Sequence, residues 1–232
     1  MASYMSHASV SLKLKQIAES TPAPQGTFFK TGPGDYAEHD QFIGISVPNL
    51  RKLAKEFEHI GLDNLHVLLH SKINEERLFA LIVLTNRYAA EPDAVYQFYM
   101  DNIQQVNNWN LVDASAHLIV GKHLHKKDKD ILHTLANSTV MWERRVAIVA
   151  TWYFIKMNEF EWTLKLAKIL LTDSHDLIHK AVGWMLRDMG KKDVEPLKTF
   201  LNQHAATMPR TMLRYAIEKF PEAERQHFLK RT

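Results

Sequence analysis

The sequence predicts an all-α protein of the α-solenoid class, and three observations carry that prediction. From Val47 onward, apolar residues recur at i, i+3, i+4 and i+7, the signature of amphipathic helices. Strand signals are weak, with no Asn-Gly or Asp-Gly turn and no sustained period-2 run. Third, one alanine recurs in a similar apolar frame in FALIVLTNRY, DASAHLIVGKHL, VAIVATWYFIK, KAVGWMLRDMGK and YAIEKF. These alanines are Ala80, Ala114, Ala147, Ala181 and Ala216, at successive spacings of 34, 33, 34 and 35 residues. A small residue at that period suits close packing of stacked helix pairs. Each repeat is expected to be two antiparallel helices with the alanine in the second.

The elements follow in order. Six of the sixteen Gly and Pro residues fall between Pro22 and Gly34, so residues 1–46 are expected to form an irregular N-terminal part. Pro48 suits the first turn of a helix. The segment Leu50–Leu69 is expected to supply a helix pair in irregular form. Repeats then run from about residue 47 to 232, within a single domain spanning 1–232.

Composition limits the chemistry. The 232 residues are 46% hydrophobic and 24% charged, ordinary values for a globular chain. With no cysteine there is no disulfide framework, thiol nucleophile or Cys-ligated metal. That fits a reducing cytoplasm. No apolar run reaches membrane-spanning length, and MASYMSHASV carries no visible secretory signal. The 29 basic and 26 acidic residues give a net charge of only +3. A polyanion partner therefore requires the cations to gather on one face.

The repeat register predicts such a face. Helical residues advance by about 100°. Trp109 and Asp113 lie one turn apart, and Arg145 and Trp184 fall in the same arc of roughly 140°. Arg144 falls outside it. The arc also collects His117, Lys156, His179, Lys180, Arg187, Lys191, Arg214 and Tyr215, with Asp113 as the one carboxylate singled out. Any single Lys on such a face is ordinarily just solvated. The joint pattern of cations and aromatic rings suits a phosphate backbone with exposed nucleotide faces. Asp113, expected to stay ionised among cations, could stabilise a developing cation, orient a water, or form a salt bridge or structural hydrogen bond.

The ordered set FIGISVPNLRKLAKEF, NNWNLVD, WERRVAIVATWYFIK, HKAVGWMLRD and MPRTMLRYAIEKF resembles the HEAT-like repeat DNA alkylation repair family, the AlkD-type alkylpurine DNA glycosylases. The resemblance spans roughly residues 28–220. It implies excision of cationic N3- or N7-alkylated purines from duplex DNA held along a concave surface. The family's catalytic Asp matches Asp113, its paired Trp matches Trp109, its second Trp matches Trp184 and its backbone-gripping Arg matches Arg145. Lys156, His179, Lys180, Arg187, Lys191 and Arg214 are DNA-binding candidates from the face argument. An alkylated purine already carries positive charge and leaves without a general acid. The oxocarbenium-like sugar left behind is what a carboxylate would stabilise. The resemblance implies no cofactor and no metal, and a monomer is the default for a groove that admits DNA.

The N-terminal stretch TPAPQGTFFKTGPGDYAEHDQ departs from the family pattern. Active members place an aromatic near the lesion from a short helix. Here Pro and Gly leave room only for a very short helix around residues 25–30. Phe28 or Phe29 would replace the aromatic, with Tyr36 nearby. This favours an alternative, a catalytically weak paralogue that binds duplex or branched DNA. A solenoid binding an acidic protein partner is a third reading. The pairs His175/His179 and His123/His125 lack a third ligand or an HExxH context, so no metal site is expected. No GxxxxGK loop or GxSxG elbow occurs, and GPGD reads as a turn. Trp142, Trp152 and Trp162 are expected in the interhelical core.

Overall fold

The computed structural model describes residues 5–23 and 28–230. The fold is all-α, of the helical-repeat class expected, and among the described residues only one isolated parallel bridge, Gln41 to Ile73, has β character. The chain forms two compact units, Met1–Ser115 and Ala116–Thr232.

The first unit begins with a helix that sequence reading placed in irregular chain. Helix α1 runs His7–Ser20, and a capping box between Ser6 and Ser9 sets its start. Serine here plays the role that Glu or Gln usually takes at the third position, which hides the signal. Val10 and Leu14 are its buried residues, and it packs on α3. Helix α2 (Val47–Glu56) starts at a Ser46 cap with Pro48 in its first turn, as its sequence predicts. Helix α3 (Leu62–Leu69) leads into α4 (Asn74–Arg87) through a short turn. Helix α4 is the centre of the unit. It packs on α2, on α3, on α5 (Pro92–Asp101) and on α6 (Trp109–Ser115). Leu50, Phe57, Leu65, Phe79, Leu81, Leu84 and Tyr99 make its fully buried core.

The second unit opens with a π-helical turn, His117–Gly121, closed by Gly121 N–H donating to Ala116 C=O at 2.9 Å. A single turn α7 (Lys122–Leu124) and α8 (Asp130–Ala136) follow. Helix α9 (Met141–Lys156) ends in a Schellman motif, with Asn158 at φ 60°, Asn158 N–H on Ile155 C=O and Glu159 N–H on Phe154 C=O. Next come α10 (Glu161–Ile169), α11 (Asp176–Lys192), α12 (Val194–His204), α13 (Arg210–Ala216) and α14 (Glu222–Leu229). Helix α11 packs on both α9 and α13, so the second helices of successive pairs form a row. The row is close because Gly183 has no side chain. A Cβ there would sit 2.5 Å from Tyr215 Cβ and 2.6 Å from the Met212 carbonyl oxygen.

Ala80, Ala147, Ala181 and Ala216 are buried in this packing, as the repeat predicts. Ala114 is different: it is half-buried, while Ser115 and Ala116 are fully buried. The π-helical turn that follows shifts the buried register by a residue or two relative to a regular helix. Ala114 therefore lies on the accessible stripe of α6 with Trp109, Asn110 and Asp113.

Candidate functional site

The site residues of the first unit depend on a buried polar network. Asn108 precedes α6, and its Oδ1 accepts from Trp109 N–H at 2.7 Å. Its Nδ2 donates to Asp40 Oδ2 at 2.7 Å, and Asn74 Nδ2 donates to the same oxygen at 2.9 Å. Arg77 pairs with the other oxygen, Asp40 Oδ1. Both charged side chains are only 6% exposed. Asn74 and Asn110 also pair through their amides, with Asn110 Nδ2 donating to Asn74 Oδ1 at 2.6 Å. One carboxylate thus joins the N-terminal loop, α4 and the start of α6.

A second buried carboxylate holds the same loop. Glu75 accepts from the backbone N–H groups of Ile43, Gly44 and Ile45, the shortest at 2.8 Å. Gly44, at φ 78°, allows the turn that aims successive amides at it.

This anchored loop brings aromatic rings to Trp109. Phe29 stacks on the Trp109 indole at 4.9 Å between centroids and 18° between planes. Phe42 also stacks on Phe29, at 4.4 Å. Trp109 Nε1–H donates to Tyr36 Oη at 3.1 Å, and Tyr36 donates to the Phe28 carbonyl at 3.4 Å. Phe29 and Tyr36 are therefore the aromatic neighbours of Trp109, whereas the Phe28 ring is 79% exposed. Phe28–Lys30 form a turn and bend, not a helix. The rest of the short helix expected there, residues 25–27, lies outside the described residues.

Asp113 is half-buried one turn beyond Trp109 on the same stripe of α6. Its charge reaches Tyr99, which lies at 0% exposure and hydrogen bonds with Ser115 Oγ at 3.2 Å. Burial pushes the Tyr99 phenol well above its ordinary range, and Asp113 adds to that rise.

The second unit holds a separate cluster. Trp184 meets Trp152 edge-on at 5.0 Å, and His117 lies 4.3 Å from Trp152. Lys156 Nζ sits over the Trp152 ring at 4.0 Å. Burial lowers the pKa of Lys156, opposed by the charge of Asp188. Trp152, expected in the core, is half-buried and shares this aromatic wall with Trp184.

The cations assigned from the register are largely engaged. Lys180 pairs with Asp176 at 2.7 Å, and this hydrogen bond holds the Asp176 carboxyl below its usual range. Arg187 pairs with Glu218 and approaches Asp188 at 3.7 Å. Lys191 pairs with Asp188 at 2.6 Å. Arg214 is exposed. His179 Nε2 bonds the Asp173 carbonyl, and the Nδ1 of His175 accepts from Leu177 N–H to cap α11. The expectation of a face with Asp113 as the one notable carboxylate is thus corrected. Asp176, Asp188 and Glu218 lie among the cations, because i,i+3 and i,i+4 spacing and the close α11–α13 approach put them there.

The two neighbouring arginines have different partners. Arg144 binds Asp173 at 2.6 Å and the carbonyls of Ser138 and Thr139. Arg145 is only 5% exposed and donates to the Leu177 carbonyl.

Sequence reading missed Asp40, Asn108 and Asp188. Asn108 carries a local signal, since Asn immediately before a helical stripe is a cap residue. Asp188 carries one too, four residues after Trp184 and three before Lys191. Asp40 carries none, because its partners lie 34, 37 and 68 residues away. Among the described residues, no group of three His, Asp or Glu could hold a metal ion, and no helix is long and apolar enough to cross a membrane.

Comparison with known proteins gives a consistent picture. Residues 10–220 match the family described as DNA alkylation repair enzyme. No curated protein sequence matches the chain. A solved structure described as a predicted DNA alkylation repair enzyme from Enterococcus faecalis is 18% identical, with a TM-score of 0.65 over 81% of this chain and 92% of that one. The protein smu.31 from Streptococcus mutans UA159 is 17% identical, with a TM-score of 0.54 over 76% of this chain and 93% of that one. These structural likenesses speak to the fold.

Proposed function

The chain belongs to the DNA alkylation repair enzyme family, whose model matches residues 10–220, and from that premise we propose that it is a glycosylase for cationic N3- and N7-alkylated purines in duplex DNA. The observation that carries this reading is the accessible stripe of α6. It presents the Asp113 carboxylate one helical turn from an indole whose plane and N–H are both fixed.

In this reading the leaving base departs neutral, because alkylation has already charged it. Positive charge then moves to the sugar. The Asp113 carboxylate stabilises that charge as it develops and orients the attacking water. Trp109, held by Phe29 and Tyr36, forms a wall of the lesion site, and Trp184 is a further catalytic candidate. Rigid walls matter because a misplaced wall weakens stabilisation that must be ready before the reaction. Arg145, Lys156, His179, Lys180, Arg187, Lys191 and Arg214 contact the phosphate backbone. Of these, Arg145 is the most buried, and its hydrogen bond to the Leu177 carbonyl must be exchanged or shared when it binds a phosphate. Both compact units count as one repeat domain in this reading, and the protein acts as a cytoplasmic monomer.

Base release from duplex DNA containing N7-methylguanine tests the proposal. Wild type is expected to release the base. Asp113→Asn is expected to lose about 2.7–4 kcal/mol of transition-state stabilisation, or about 10²–10³ in rate, by analogy with loss of one preorganised electrostatic group. No release by wild type that still binds DNA would refute the glycosylase reading. Equal release by Asp113→Asn would refute the role of the carboxylate.

One observation favours a second reading, that of a paralogue which binds DNA without excising bases. Phe29 covers a face of the Trp109 indole, and Phe28–Lys30 form no helix. DNA binding without base release in the same assay would select that reading.

A further inference from the structure

Asp188 has no role in the mechanism above, yet it joins an indole and a cation on α11. Its side chain is 14% exposed, on the stripe of α11 that also carries Trp184 and Lys191. Its Oδ2 accepts from Trp184 Nε1–H at 3.3 Å. Its Oδ1 accepts from Lys191 Nζ at 2.6 Å, and Arg187 Nε lies 3.7 Å away. Its field also opposes the effect of burial on Lys156, whose ammonium lies over Trp152, the ring that meets Trp184 edge-on. One carboxylate therefore fixes the edge of an aromatic wall and neutralises the cations beside it.

We propose that Asp188 is a positioning and specificity residue that orients Trp184 through its indole N–H and holds Lys191 as an internal pair until a DNA phosphate replaces it. The inference rests on the proposed function, the masking role on its DNA binding and the orienting role on its base release, so absence of release by wild type would refute the glycosylase reading and not the orientation of Trp184. Two properties of the geometry support it. The Lys191 side chain is 46% exposed, so the cation is within reach of a ligand even while paired. Such a partly exposed ion pair is weak, so a phosphate can exchange with the carboxylate at small cost. The carboxylate would then set a threshold: contacts that do not satisfy the freed cation compete poorly with Asp188. Undamaged or poorly seated duplex is thereby held less tightly, since a like charge opposes the approaching backbone.

The two functions of the carboxylate can be separated chemically. An amide at this position still accepts the indole N–H but no longer neutralises cations, whereas an alanine does neither. The test measures binding of undamaged duplex across a salt titration, and single-turnover release of N7-methylguanine, for wild type, Asp188→Asn and Asp188→Ala. Both variants are expected to bind undamaged duplex roughly fivefold tighter at low salt, with a salt slope steeper by about one, the increment for one more phosphate contact. Asp188→Ala is expected to release the base at least about tenfold more slowly than Asp188→Asn, because only the amide preserves the orientation of the wall.

Unchanged affinity and slope in both variants, with DNA binding intact, would overturn the masking role. Equal release rates in the two variants would overturn the orienting role. Absence of DNA binding by all three proteins at low salt would refute the DNA-binding reading and this inference with it. A steeper slope cannot arise from a merely loosened core, so it separates the proposal from a structural role for Asp188.

Discussion

Replacing Asp40 by Ala removes one partner of a pair in which both side chains are only 6% exposed. Arg77 is then left with its charge buried and its Oδ1 partner gone. Asn74 and Asn108 lose their shared acceptor as well, at hydrogen-bond distances of 2.9 and 2.7 Å. Stranding a buried charge costs about 3–5 kcal/mol, more than the net worth of the intact pair, because desolvation is no longer offset. For a chain of 232 residues, 1 kcal/mol corresponds to about 2–4 °C in Tm. Asp40→Ala should therefore lower Tm by about 6–20 °C. The decisive comparison is a double-mutant cycle with Arg77→Met. The double variant removes both charges and should recover at least half of the single variant's loss. Calorimetry on all four proteins gives the coupling directly. A loss below about 1 kcal/mol in Asp40→Ala, or a double variant as damaged as the sum of its singles, would refute the reasoning.

Two further outcomes follow from the second unit. Gly183→Ala should destabilise by about 1–3 kcal/mol despite the better helix propensity of alanine, since its Cβ would meet backbone of α13 that cannot rotate aside; a melting temperature equal to or above wild type would contradict the close approach of α11 and α13. His175 caps α11 through a neutral Nδ1, and burial lowers its pKa in the folded protein. The unfolded chain therefore takes up the proton first, so this contribution is full above pH about 6.5 and declines as pH falls below it. Thermal melts between pH 8 and pH 5 should show a shallower decline for His175→Asn, which keeps a capping acceptor without the titration. Identical pH slopes would rule out His175 as the source.

How far the sequence discloses this protein depends on the span of each interaction. Helices are legible because their information is local. Pro48 marks the start of α2, and the repeat alanines Ala80, Ala147, Ala181 and Ala216 sit where stacked helices need small residues. The stripe bearing Trp109 and Asp113 is legible for the same reason, being one turn of one helix. Helix α1 escapes notice because its serine capping box lacks the usual Glu or Gln and its amphipathicity is weak. Ala114 is misplaced because a helical register assumes 3.6 residues per turn, and the π-helical turn at His117–Gly121 departs from it. The counting of cations fails for another reason. An arc on a helical wheel records direction, not pairing, so Arg187 and Lys191 look available although Glu218 and Asp188 hold them. The loop that presents Phe29 and Tyr36 is fixed by Asp40 and Glu75 through contacts more than thirty residues apart, for which no local pattern exists.

The paired amides of Asn74 and Asn110 have a practical consequence for experiments on this chain. They are uncharged and tie α4 to α6, the helix of the candidate carboxylate. Added salt does not weaken a neutral clamp of this kind, whereas it does weaken exposed ion pairs and phosphate contacts. Under the proposed function, ionic strength would then change DNA affinity more than the rate of base release. Single-turnover release under saturating protein should stay level while the protein concentration needed for saturation climbs with salt.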